Sequence, residues 1–213
     1  RFIDRFNLNN TNTNVEESAI KIEYEAINNA DIIINEIKQS KKFFYYLNTA
    51  NVSNEKIIQK KIEGITIYSE TNQKSYFINE ISLFKEIFED LEILKIGYKQ
   101  KEDYILLKQE GIEPQNLLFD IEIAGYILNS TISKYTIEYL ANEYMNFDLE
   151  EYLNKNNVKE EEQLSLFNND KKEDIKSYAY VYVINALYKV LMEKMKETDT
   201  LDLFNTIEMP LVE

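Results

Sequence analysis

Three carboxylates stand where carboxylates could do chemistry. Asp103 opens a predicted helix, and Asp120 and Glu122 are spaced as Asp-Ile-Glu behind a short apolar strand. Hard divalent cations take oxygen ligands, mostly carboxylates. Two such ions about 3.5–4 Å apart can stabilise the attacking and leaving oxygens of a phosphoryl displacement. Asp103 and Asp120 both fall in residues 95–129, KIGYKQKEDYILLKQEGIEPQNLLFDIEIAGYILN, which read as strand, turn, helix, loop, strand, helix. What the chain can do depends on how many further carboxylates gather around Asp103.

Composition removes most other chemistry. The 213 residues include no Cys and no His. That excludes a cysteine nucleophile, a Cys/His zinc site and histidine as general base. It also excludes disulfides, so nothing points to secretion. Four Gly and two Pro leave little room for a Gly-rich phosphate loop or a Pro-rich linker. A net charge of −14 makes a poor stand-alone duplex binder, because such binding replaces counterions with Lys and Arg. No apolar run approaches the roughly 18 residues that span a bilayer. No signal peptide is visible, so a cytoplasmic, nucleoid-associated location is expected, and Arg1 reads as the start of a fragment.

The elements that must position these carboxylates follow from periodicity. Residues 1–18 are polar and Asn-rich and read as a poorly ordered N-terminal segment. Strands are predicted at 19–26, 41–47, 62–69, 74–79, 92–96 and 117–120, and helices at 29–39, 81–91 and 103–110. The run KKFFYYL over 41–47 has the continuous apolar pattern of a buried central strand. Gly111 is a stop signal for the third helix. From Ile121 to about Met195 the pattern is helical, interrupted by a charged loop at 154–174. Residues 196–213 read as the start of a further domain. Three consecutive strands followed by alternating helices and strands argue for α/β architecture, a mixed central sheet flanked by helices.

That order is the layout of the ribonuclease H-like (DnaQ-like) exonuclease fold. Four segments resemble the 3′–5′ exonuclease domain of bacterial DNA polymerase I, a family A polymerase. Phe119-Asp120-Ile121-Glu122-Ile123-Ala124-Gly125-Tyr126-Ile127-Leu128 is similar to that family's F-D-T-x-x-A-x-Y-L-L. Ile137-Glu138-Tyr139-Leu140-Ala141 is similar to its L-x-x-L-A helix, and Gly97 through Leu107 to its second motif, G-x-N-x-K-x-D-x-x-x-L. Ile207-Glu208-Met209-Pro210-Leu211 resembles the I-E-x-P-L that leads into the polymerase domain. Residues 19–195 are thereby expected to form one exonuclease-like domain.

The resemblance implies four metal-binding carboxylates, and this sequence departs from most of them. With Thr49 matched to the Thr of D-x-E-T, Tyr46 stands at the Asp and Asn48 at the Glu. In the second motif Lys99 replaces the usual Asn, Lys101 matches the Lys, and Asp103 is kept. In the late Y-x-x-x-D helix Tyr178 matches the Tyr and Tyr182 stands at the Asp; a two-residue shift would put Tyr180 there. A lone Asp103 leaves about three charges of two divalent ions uncompensated, with Lys99 and Lys101 nearby. The expectation is therefore no catalytic set, no metal and no cofactor in this domain. Tyr46, Asn48, Asp103 and Tyr182 are read as vestigial positions, and Mg²⁺ would act only in the polymerase domain of a parent enzyme. The tyrosines at 178–182 are expected in a core helix, plugging the old cleft. Asp120 is expected to cap the helix that begins at Ile121.

A second signal is Gln163-Leu164-Ser165-Leu166-Phe167, apolar residues in a stretch otherwise made mostly of Glu, Lys, Asn and Asp. It is similar to the bacterial sliding-clamp-binding motif Q-L-S/D-L-F. Leu166 and Phe167 would enter an apolar pocket and Gln163 would orient the segment. The competing reading is a helical turn that packs Leu164 and Phe167 on the domain. Two functions are thus expected from the sequence. One is an inactive scaffold within a DNA-directed DNA polymerase of replication and repair, with the polymerase domain, the clamp and DNA through the parent enzyme as partners. The other is a divergent, active metal-dependent 3′–5′ exonuclease using Asp103, Asp120 and Glu122.

Overall fold

The computed structural model describes residues 21–50, 57, 60–164 and 175–212, with the backbone alone over 157–164. A six-stranded mixed sheet forms the centre, in the order β1-β4-β3-β2-β5-β6. The strands are β1 (Glu23–Ala26), β2 (Lys42–Thr49), β3 (Ile62–Ser69), β4 (Lys74–Ile78), β5 (Leu94–Gly97) and β6 (Phe119–Asp120). β2, β3 and β4 pair antiparallel; β5 runs parallel to β2, β6 parallel to β5, and β1 parallel to β4.

The central strand β2 is apolar from Phe43 to Leu47 because helices cover both its faces. Successive side chains of a strand point to opposite sides. Phe43, Tyr45 and Leu47 enter one core, shared with Phe84, Ile87 and Phe88. Helix α1 (Asp31–Ser40) covers that side through Ile33 and Ile37, together with the short α2 (Lys85–Glu89). Phe44 and Tyr46 face the other core, under α4 (Ile121–Leu128), α5 (Ile137–Met145) and α7 (Ile175–Glu197). α7 runs across β2, β3 and β4 and is buried along most of its length. The Ser75 hydroxyl on β4 donates to the Tyr178 carbonyl at 3.0 Å, tying this helix to the sheet.

Several boundaries differ from the sequence expectation, each for a local reason. The segment expected as one helix over 81–91 is a 3₁₀ turn, Ile81–Phe84, followed by α2. Helix α3 begins at Gln100, three residues before Asp103, because Lys99 adopts a left-handed N-cap with φ of 61°. Helix α6 runs Leu149–Leu164, so the first part of the charged loop expected at 154–174 is helical. Glu, Lys and Gln are good helix formers, no Gly or Pro interrupts the stretch, and Glu151 pairs with Lys155 at 2.5 Å one turn on. Residues 165–174 lie outside the described set, as do residues 19 and 20 of the first expected strand.

The final segment packs on this same core. After α8 (Leu201–Leu203) the chain makes a π turn and a 3₁₀ turn through Leu211. Phe204, Met209 and Val212 are buried, and the Phe204 ring lies 4.9 Å from that of Phe119. Among the described residues no helix is long and apolar enough to cross a membrane.

Candidate active site

Asp120 organises the ends of two helices. It terminates β6, and one carboxylate oxygen accepts from the Glu122 N–H at 2.7 Å and the Ile123 N–H at 3.4 Å, capping α4. The same carboxylate accepts from the Gln100 N–H at 2.6 Å and the Lys99 N–H at 3.3 Å, at the start of α3. Both helix N-termini thereby satisfy amides that lack partners inside their own helices. Burial pushes the Asp120 carboxyl above its ordinary range, opposed by these four N–H groups. The cap expected at Ile121 is present. Its second role, gathering amides 20 and 21 residues earlier in the chain, has no local sequence signal.

Asp103 lies in the first turn of α3 and is 7% exposed. Its carboxyl faces the Tyr45 hydroxyl, which is fully buried and falls short of normal hydrogen-bond geometry. Burial pushes the Asp103 carboxyl well above its ordinary range. The negative charges of Asp120 and Glu102 add to this, while Lys60, which pairs with Glu102 at 3.5 Å, acts against it. Gln100, one turn before Asp103, donates its side-chain amide to the Lys95 carbonyl at 3.1 Å. Its own carbonyl oxygen has no hydrogen-bond partner among the described residues. The sequence reading missed Tyr45 and Gln100, which form this buried polar pocket with Asp103. A polar residue in the first turn of an amphipathic helix carries no mark of being buried.

Tyr46 and Asn48 project from the other face of β2. The Tyr46 ring meets that of Tyr180 on α7 edge to face, with centroids 5.2 Å apart. The Tyr180 hydroxyl donates to the Glu138 carboxylate of α5. Burial raises the Tyr180 phenol, and the Glu138 bond raises it further. Tyr98, following β5, is raised chiefly by burial and then by the charges of Glu122, Asp120 and Glu138. Asn48 donates to the Thr66 hydroxyl at 2.7 Å on β3, beside a register shift between Asn48 and Thr49. Tyr182 meets Tyr68 of β3 edge to face at 5.7 Å.

The structure thus gathers Tyr46, Tyr98 and Tyr180 around Glu138, and sends Tyr182 and Asn48 to β3. Asp103 stands apart, turned to Tyr45 on the opposite face of β2. Glu122 is half-buried, and burial followed by the Asp120 charge raises its carboxyl. Among the described residues no three acidic side chains lie close enough to share a metal ion. Of the segment expected to bind a clamp, Gln163 and Leu164 end α6, while Ser165, Leu166 and Phe167 lie outside the described residues.

Known proteins match this chain in family and in fold. Residues 49–152 match the family model described as DNA polymerase I, ribonuclease H-like domain. DNA polymerase I of Borreliella burgdorferi is 30% identical over 167 residues, which take in 76% of this chain and 18% of that protein. The chain carries the 3′–5′ exonuclease-like domain of the DNA polymerase I family. DNA polymerase I of Bacillus subtilis is 29% identical over 164 residues, 72% of this chain and 17% of that protein. The chain therefore spans under a fifth of the curated relatives it matches. Among solved structures, the POL domain of Pol1 from M. smegmatis with DNA primer-template and dNTP superposes with a TM-score of 0.68 at 13% identity. That match covers 89% of this chain and 30% of the other. Escherichia coli RNase D superposes with a TM-score of 0.63 at 17% identity, over 90% of this chain and 50% of that one. At such identities these neighbours show the fold, which is the ribonuclease H-like exonuclease fold.

Proposed function

We propose that this DNA polymerase I exonuclease-like domain has lost its nuclease chemistry and serves as a scaffold within a DNA-directed DNA polymerase of replication and repair. The observation that carries the proposal is the edge-to-face contact of Tyr46 with Tyr180. The family's first motif calls for an Asp at the position of Tyr46, and α7 presents a second phenol to it. The partly buried Tyr46 ring and the buried Tyr180 ring fill space that hydrated divalent ions would need, and they are held by apolar packing and ring contact.

The residues present do not fit a pair of divalent ions. Asp120 already accepts four backbone N–H bonds, and turning it to a metal would orphan amides at two helix starts. Asp103 points to Tyr45, across β2 from Tyr46, and among the described residues no three acidic side chains gather around Glu122 to hold an ion. A hard cation left with one or two carboxylates holds its water more strongly than such a site. Mg²⁺ chemistry is assigned to the polymerase domain of the parent, which also supplies the contact with DNA.

We further propose that Gln163-Leu164-Ser165-Leu166-Phe167 tethers the parent to the sliding clamp, on the strength of its sequence pattern alone. The purified chain, given a labelled single strand with Mg²⁺ or Mn²⁺, is expected to leave the 3′ end intact. Metal-dependent release of 3′ nucleotides would establish the divergent exonuclease with Asp103, Asp120 and Glu122 as its ligands. For the tether, Leu166→Ala with Phe167→Ala is expected to lower clamp binding at least tenfold; equal binding by both forms would remove it.

A further inference from the structure

Helices α4 and α5 pack side by side, and their outer side carries a ledge of tyrosines. Thr136 caps α5 by accepting from the Tyr139 N–H at 3.2 Å. Tyr135, just before the cap, folds back over α4. A Cβ placed on Gly125 would lie 3.4 Å from the Tyr135 ring and 2.7 Å from Leu140, so the missing side chain lets α5 approach α4 closely. The Tyr135 ring meets that of Tyr126 edge to face at 5.9 Å, and its hydroxyl donates to the Asn129 carbonyl at 2.8 Å. Tyr126 is 46% exposed. Tyr139 and Tyr144 are partly exposed, and Glu143, one helical turn after Tyr139, is exposed. Burial raises the Tyr139 phenol, and the Glu143 charge raises it further. Burial also raises Tyr144, followed by Glu143, Tyr139 and Tyr135, so these four groups lie within electrostatic reach of one another.

We propose that the ledge of Tyr126, Tyr135, Tyr139 and Tyr144, with Glu143 on it, is a docking site for an arginine-bearing peptide segment of another protein. Charge and chemistry choose the occupant. An aromatic face attracts a cation, arginine more often than lysine. A guanidinium can stack on a ring while its N–H fork meets a carboxylate. The Tyr135 ring is already fixed by Gly125, Tyr126 and Asn129, so less ordering entropy is lost on binding. Lys134 is the only basic residue over 121–153, a stretch with six acidic ones. That balance disfavours phosphates and anionic lipid. A second copy is disfavoured too, because each copy carries −14 and its only arginines are Arg1 and Arg5. A folded partner needs roughly 800 Å² per side, more than a few partly exposed rings supply. The ledge suits one basic side chain and its flanking backbone. Nothing in this site depends on whether the domain cleaves DNA.

The test titrates the 213-residue chain with the capped peptide Gly-Gly-Arg-Gly-Gly and follows backbone amide NMR shifts. Peptides with Lys or Gln in place of the Arg run in parallel. The arginine peptide is expected to give saturating shifts centred on residue 126 and residues 135–144. The lysine peptide is expected to bind the same residues more weakly, and the glutamine peptide to leave them unmoved. Tyr139→Leu keeps apolar bulk and removes the ring. It is expected to weaken arginine binding about two- to fivefold, the range of one exposed cation–π contact. Glu143→Gln is expected to weaken it by a similar factor and to remove most of its salt dependence. Glu110→Gln, an exposed acid at the end of α3, is expected to leave binding unchanged. Undiminished binding by Tyr139→Leu with Glu143→Gln would overturn the proposal, as would equal shifts with the glutamine peptide. Equal weakening by Glu110→Gln would reduce the effect to diffuse attraction by an acidic chain and would overturn it too. A wild-type chain that sediments as a dimer and becomes a monomer with Tyr139→Leu would assign the ledge to a second copy instead.

Discussion

Replacing Asp103 by Asn separates a relic from a metal ligand. The Asp103 carboxyl is buried in the first turn of α3, beside a Tyr45 hydroxyl that makes no proper hydrogen bond, with Asp120 and Glu102 adding negative charge. A buried polar group without full hydrogen bonding costs about 1–3 kcal/mol, and more if charged. Asn keeps the shape and removes the charge. Asp103→Asn is therefore expected to stabilise the chain by about 1–2 kcal/mol at neutral pH. For a domain of this size that is a rise in Tm of roughly 2–4 °C per kcal/mol. The pH dependence has a definite sign. The folded chain holds the Asp103 proton more tightly than the unfolded chain, so stability falls as pH rises from the ordinary value of 3.8 through the higher folded value. The gap between wild type and variant is expected to be small near pH 3.8 and to open fully above the folded value. Thermal melts of both proteins from pH 4 to 8, each in EDTA and in Mg²⁺, read this directly. A variant less stable than wild type in Mg²⁺ and equal to it in EDTA would show that Asp103 holds a metal, and would refute the argument.

Further consequences concern the amide cradle. Asp120→Ala removes the acceptor for four N–H groups at two helix starts. It is expected to lower stability by about 3 kcal/mol or more, beyond the ~0.5–2 kcal/mol of a single lost cap, as measured by urea unfolding at pH 7. Lys99 occupies the left-handed region with φ of 61°, which Asn enters more readily than Lys. Lys99→Asn is therefore expected to gain up to about 1 kcal/mol in the same assay, with no change in the pH dependence set by Asp103.

The strands β2, β3 and β4 were legible because their apolar runs are long and punctuated by a polar turn. The Asp120 cap was legible from one residue standing between an apolar strand and a helix. The reach of α6 to Leu164 was obscured because charged residues serve both helix and loop, and only i,i+4 pairing in the folded chain tells them apart. The inward packing of Phe204, Met209 and Val212 was hidden for a related reason. Apolar residues on both sides of a short segment do not say which side meets a core.

Which residue types stand at the positions that the family resemblance matches to carboxylates is a property of the sequence alone. Tyr46, Asn48 and Tyr182 carry no carboxylate wherever the chain places them, and that can be read without coordinates. The tertiary structure decided the destinations. Tyr46 closes on Tyr180, while Asn48 and Tyr182 turn to β3. Asp120 is consumed by two helix starts, and Asp103 turns across β2 to Tyr45. Charge is carried by single residues. Contact among residues dozens of positions apart exists only once the sheet and α7 have brought them within a few ångströms.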